Sequence, residues 1–159
     1  MGDEPKMYPM QDQLWQIEDY VTGLPVVEEV NSYKVTVLES GIPVFAATGE
    51  KVADIIGTKG IFVMDEELNL YFGPRTIHHS DFFRGAPVSC AGEFTLGNKK
   101  GTLMKLNNRS GHYMPEKSCL DLVDKVVRTL GYKKEIKYDV LEKMTGLDII
   151  RGVNVNRRR

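Results

Sequence analysis

Apolar and polar positions alternate through residues 33–39, YKVTVLE, which is the spacing of a half-buried β-strand. PVFAATG (43–49) follows Gly41, so the two segments predict a hairpin. GIFVMDEELNLYFGP (60–74) holds two apolar runs, IFVM and LYF, around the polar DEELN, and reads as a second hairpin. CAGEFTL (90–96) and GTLMKLNN (101–108) flank the glycine-bounded turn GNKKG and predict a third. Pairing of that third hairpin would bring the chain before residue 90 close to the chain after residue 108.

Two other segments carry a helical period. In QDQLWQIEDYVT (11–22), Leu14, Ile17 and Val21 share a face with Trp15 beside them, and Gly23 and Pro25 end the run. After Pro115, Leu120, Val123, Val126, Val127 and Leu130 form an apolar face. Glu116, Asp121 and Asp124 place negative charge toward that helix's N-terminal half, and Gly131 supplies a stop. EIKYDV (135–140) reads either as a strand or as the start of a short helix, and GLDIIRGVNV (146–155) as a closing strand. The order is a helix, about six strands, then a helix. This predicts an α+β fold with a mainly antiparallel sheet, as one domain over residues 1–159 with a loose stretch at 1–10 and a basic tail at 156–159.

Composition narrows the function classes. Hydrophobic residues make up 42% and charged residues 27% of the 159, as in an ordinary globular domain. The formal net charge of −1 argues against a general nucleic-acid binder, which carries a basic surplus. No apolar run approaches the ~20 residues of a membrane span, and MGDEPKMYPM lacks the apolar core of a signal peptide. Cys90 and Cys119 have no C-x-x-C spacing and no nearby histidine pair, so no metal site is expected. Cys119 falls in the helical pattern, where a buried free thiol is expected. The default is a soluble protein of a reducing compartment, cytoplasmic or secreted into a host cell without a classical signal peptide.

All of the imidazole falls in two loop-like stretches. IHHSDFF contains His78 and His79, and NNRSGHYMP contains His112. If the third hairpin brings the stretches together, His78 or His79, Ser80, Ser110, His112 and Tyr113 would surround one ligand, with Glu93 one strand position away. Such groups serve as acids, bases and donors around an anionic or sugar-bearing molecule. The structural alternative is that Ser-Gly and Asn-Asn are turn chemistry, His112 donates to a backbone carbonyl and Tyr113 is a half-buried anchor. A serine hydrolase has little support, because neither Ser80 nor Ser110 sits in a G-x-S-x-G elbow.

HSDFFRGAPVSCAGEF (79–94) followed by NRSGHYMP (108–115) resembles the C-terminal domain of the plant calmodulin-binding IQM proteins. Their pattern is an H-S-x-F-x-x-G block ending in A-G, then S-G-H-Y-x-P before a helix. His79, Ser80, Phe82, Gly85, Ala91, Gly92, Ser110, Gly111, His112, Tyr113 and Pro115 occupy the matching positions. The likeness covers roughly residues 33–132, and similar stretches mark C-terminal domains of bacterial secreted toxins and effectors. This chain has no recognisable IQ motif, so calmodulin binding does not carry over, and Glu93 stands where the plant pattern continues with arginine.

Two functions of different class remain open. One is an effector-type transferase resembling the ADP-ribosyltransferases, modifying a protein target with NAD. His79, Ser80, Phe82 and Ser110 would bind the ligand, and Glu93, His112 and Tyr113 would carry the chemistry. The other is a non-catalytic domain that binds a protein target or host signalling protein, with neither nucleic acid nor membrane as partner.

Overall fold

The computed structural model describes residues 5–9, 29–110 and 113–140. Seven strands form one sheet: β1 (Lys34–Val37), β2 (Pro43–Phe45), β3 (Lys59–Met64), β4 (Leu70–Gly73), β5 (Cys90–Leu96), β6 (Leu103–Asn107) and β7 (Lys137–Asp139). Their spatial order is β2-β1-β4-β3-β5-β6-β7. Every neighbouring pair is antiparallel except β6–β7, which is parallel, so the sheet is mixed. Two helices accompany it among the described residues: α1 (Val52–Ile55), a single turn after β2, and α2 (Ser118–Thr129). The fold is α+β, as the pattern predicts.

The three expected hairpins are β1–β2, β3–β4 and β5–β6. Asp65 organises the second turn by accepting the Glu67 and Asn69 amides at 2.9 and 2.8 Å. The third closes through Gly97, whose amide donates to the Thr102 carbonyl at 2.8 Å. Its register shifts between Thr95 and Leu96, which leaves Met104 as the extra residue of a bulge and 54% exposed. EIKYDV resolves to the strand β7. The helix expected at 11–22 and the strand expected at 146–155 lie outside the described residues. Within the N-terminal stretch expected to be loose, Tyr8 is buried and exchanges two backbone hydrogen bonds with Val88, at 2.7 and 3.0 Å.

The sheet has two unlike faces, because successive strand residues point to opposite sides. Inward, Val35, Phe62, Met64, Phe72, Phe94 and Leu106 build the main core with Leu120, Val123 and Val127 of α2. Phe72 and Phe94 stack with ring centroids 4.3 Å apart. Outward, Ile61, Val63, Tyr71 and Ala91 form a second apolar cluster with Phe82, Val88 and Tyr113 from the loops. The Tyr71 hydroxyl donates to Asp65 Oδ2 at 2.9 Å, and burial together with that carboxylate holds its proton well beyond the usual tyrosine range. On α2 the apolar face is narrower than expected. Val126 is half-buried and Leu130, at the C-terminal cap, is 39% exposed.

One expectation is overturned. Cys119 is not a free thiol but is joined to Cys90 in a disulfide, with the Cα atoms 5.3 Å apart. Cys90 opens β5 on the inward face and Cys119 lies in the first turn of α2 on the face packed against it. Disulfides persist where the surroundings are oxidising, so the expectation of a reducing compartment, which took both thiols as free, loses its basis. No described helix is long and apolar enough to cross a membrane.

Closing the loop between cysteines separated by 29 positions restricts the unfolded chain, which stabilises the fold by roughly 3–4 kcal/mol. Adding reductant should therefore lower the free energy of unfolding by that amount, read as a lower denaturant midpoint, and equal midpoints would contradict the link between β5 and α2. Leu120→Ala should cost ~2–5 kcal/mol through lost packing. Leu130→Ala should stay within ~0.5 kcal/mol by the same denaturation measurement.

Candidate functional site

The histidine-bearing stretch after β4 folds as one 3-10 turn, His79–Asp81. Asp81 caps it, accepting the His78 amide at 2.8 Å. His79 is half-buried, and its Nε2 lies 2.7 Å from the Gly92 carbonyl oxygen of β5. A carbonyl only accepts, so Nε2 carries the proton in this contact. Ser80 is buried in the same turn, and its carbonyl accepts the Gly85 amide at 2.9 Å. Phe82 is buried between aromatic rings, with centroids 5.7 Å from Tyr33 and 6.4 Å from Tyr71.

Tyr113 approaches the same cluster from the other side. It is 0% exposed, and its hydroxyl donates to the Ala86 carbonyl at 2.8 Å. Ser110 is buried too, its Oγ accepting the Tyr113 amide at 3.4 Å. His112 and Gly111 lie outside the described residues, so the expected pairing of His79 with His112 does too. The two stretches do converge at the end of the third hairpin, as its pairing requires. They meet around an apolar cluster rather than an open cleft, and the hydroxyl and the imidazole that the sequence offers for chemistry bond backbone carbonyls there.

Glu93 belongs to a different part of the outward face. Moving along β5 away from the apolar cluster, Glu93 and Thr95 project beside Lys59 of β3 and Lys105 and Asn107 of β6. Together with Arg75, Arg109 and Asp139 they line a cleft of about 80 Å³. The Glu93 side chain is 13% exposed and sits between two arginines: Arg75 Nη2 is 3.3 Å from Oε2 and Arg109 Nη1 is 3.8 Å from Oε1. The Arg109 side chain is 5% exposed and also reaches Asp139 Oδ2 at 2.5 Å. A guanidinium so buried needs its countercharges close, because desolvation of an uncompensated charge costs several kcal/mol.

Asn107 is the connector. Its Oδ1 accepts the Glu93 and Arg109 amides at 2.8 and 3.0 Å, while Nδ2 donates to Glu93 Oε1 at 3.0 Å. The polar run Asn107-Asn108-Arg109-Ser110, which reads as exposed turn chemistry in the sequence, is buried throughout. Residue counting gave no sign of Arg75, Lys105, Arg109 or Asp139. The strand alternation held a partial signal, because it places Glu93, Thr95, Lys105 and Asn107 together on one face of the third hairpin.

Chemically the cleft is a set of fixed charges and donors. Among the described residues no histidine or cysteine lines it, and its Glu93 is ion-paired. Among the described residues no group of three or more His, Cys, Asp and Glu is placed to hold a metal ion.

A family model described as the IQ motif-containing protein middle domain matches residues 29–120. The span takes in β1 to β6, both stretches of the second cluster and Cys119, and stops before β7 and Asp139. The description is of a middle domain, where the sequence resemblance suggested a C-terminal one. The IQ domain-containing protein IQM5 of Arabidopsis thaliana is 34% identical over 91 residues, which is 55% of this chain and 18% of that protein. The chain therefore spans less than a fifth of that relative's length. No solved structure matches the chain.

If Tyr113 and His79 hold the fold, their loss should register as stability. Tyr113→Phe removes the hydrogen bond to the Ala86 carbonyl and should cost ~0.5–1.5 kcal/mol in chemical denaturation. His79→Ala should cost a similar amount. Wild-type stability in both variants would show that these side chains do not brace the loops.

Proposed function

This chain belongs to the IQ motif-containing protein middle-domain family, and on that premise we propose that it is a non-catalytic protein-interaction domain. The observation that carries this reading is where the chemistry-bearing side chains go. Tyr113 and Phe82 lie inside the second apolar cluster, and the His79 ring is tied to the Gly92 carbonyl. Those residues fasten two loops to the sheet. Beside them lies the charged cleft, whose Lys59 is exposed and whose Lys105 is half-exposed.

A transferase reading would need room for NAD and an acid or base against it. The cleft volume of about 80 Å³ is well below the ~300 Å³ at which pockets for drug-sized ligands begin. Glu93, the carboxylate assigned to a developing cation in that reading, is already neutralised by Arg75 and Arg109. Both facts favour a binding surface over a dinucleotide site.

Cross-linking of the whole chain to co-purifying proteins, mapped by mass spectrometry, tests the proposal. A reproducible partner should cross-link at Lys59 and Lys105, and Lys59→Glu with Lys105→Glu should reduce its recovery about tenfold or more, because like-charge contacts oppose docking. Nicotinamide release from NAD by the wild type, lowered in Glu93→Gln, would overturn the proposal in favour of the transferase.

A further inference from the structure

We infer that the charged cleft on the outward face is a binding site for a phosphate monoester. Among the described residues the lining holds four cationic side chains, Lys59, Arg75, Lys105 and Arg109, against the carboxylates of Glu93 and Asp139. The arginines account for the carboxylates: Arg75 and Arg109 flank Glu93, and Arg109 also holds Asp139. Two positive charges are left over, on Lys59 and Lys105, and no described carboxylate pairs with either. A phosphate monoester carries about −1.5 to −2 at neutral pH, which matches that surplus.

The strand register sets the lysines on either side of one position. Thr95 is the cross-strand partner of Lys59 on β3 and of Lys105 on β6. With strands ~4.8 Å apart, the two lysine Cα atoms stand about 10 Å from each other, a gap that side chains from both sides bridge to one shared anion. The Thr95 hydroxyl lies between them as a donor. Lys137 of β7 is in turn the partner of Lys105, so the row Lys59-Thr95-Lys105-Lys137 runs across four strands. Like charges placed directly opposite each other disfavour a sheet, and a bound dianion would reverse that cost. Beside the row, the Arg75–Glu93–Arg109–Asp139 chain of ion pairs holds the two arginines in place. A cavity of about 80 Å³ suits a single anionic group rather than a whole nucleotide.

The inference rests on the cleft and not on the interaction reading, since the phosphate can arrive on a protein side chain or as a free small ester. The test is an amide chemical-shift titration of the isotope-labelled full chain at neutral pH and constant ionic strength. The probes are inorganic phosphate, a phosphoserine peptide and the same peptide without phosphate. Saturable shifts at Gly60, Thr95, Lys105 and Asn107 with the phosphorylated probes only would support the site. Lys59→Ala and Lys105→Ala should each weaken binding about tenfold, the loss of one charge-assisted hydrogen bond. Lys59 is exposed, so that variant should keep its melting temperature. A clear preference for the phosphopeptide over inorganic phosphate would identify a modified protein as the source, and equal affinity a free ester. No saturable shift with either phosphorylated probe, or unchanged affinity when both lysines are replaced, would overturn the inference. That failure would leave the cross-linking result intact, because a protein can dock on this face without presenting a phosphate.

Discussion

A Cβ atom built on Gly92 would stand 1.8 Å from the carbonyl oxygen of Asn107 and 2.9 Å from the Phe62 ring. The backbone at the end of β6 therefore passes β5 at a distance that only glycine permits. That approach sets much of what surrounds it. It lets the Asn107 side chain turn outward and bind the Glu93 and Arg109 amides. It also leaves the Gly92 carbonyl available on the other side to the His79 ring. One residue earlier in β5 is Ala91, within the second cluster, and one before that is Cys90, bonded to α2. The central strand is thus committed in both directions, and its residues reach the helix, the loops and the cleft within a few positions of each other.

The outward face divides along β5 because two kinds of side chain meet there. Over Ala91, the rings of Phe82 and Tyr113 bury apolar surface worth about 1.5–3 kcal/mol per side chain. Over Thr95 the lysines are exposed or half-exposed and can change at small cost to the fold. Over Glu93 the ion pairs reach the buried Arg109, whose countercharges the fold cannot lose cheaply. That division explains why the site cannot be found by asking which residues are chemically reactive. The His79 imidazole and the Tyr113 phenol serve as struts whose polar ends bond carbonyls, while the cleft is lined by lysine, arginine and amide groups of little note in the sequence.

How much was legible follows from which forces are local. Each hairpin was readable because strand alternation and turn glycines or Asp65 act over a few residues. The helix after Pro115 was readable from its 3.6-residue period, and the missed detail is the exposure of Leu130, which depends on where α2 leaves the sheet. Sheet order was not readable: β1 pairs with β4, and β3 with β5, through contacts between segments far apart in the chain. The disulfide was hidden for the same reason, since two cysteines at a separation of 29 acquire meaning only once β5 and α2 face each other. Asn107, Asn108 and Arg109 misled most. Their composition is that of an exposed turn, yet they are buried because Glu93, Asp139 and the Pro115 carbonyl satisfy them.

Arg109 shows how the cleft draws on residues both inside and outside the span that matches the family. Its position and those of Glu93, Asn107 and Lys105 lie within the span that matches the family, whereas Asp139 on β7 lies beyond it. The parallel pairing of β7 with β6 places Asp139 opposite Asn107, where it takes up the guanidinium that Glu93 only partly neutralises at 3.8 Å. Without that carboxylate, the buried Arg109 would keep only the more distant Glu93 as its described countercharge. The strand added at the sheet's edge thus does more than extend it. By holding Arg109 from the far side, it leaves Glu93 shared between two arginines, beside a lysine row that no described carboxylate pairs.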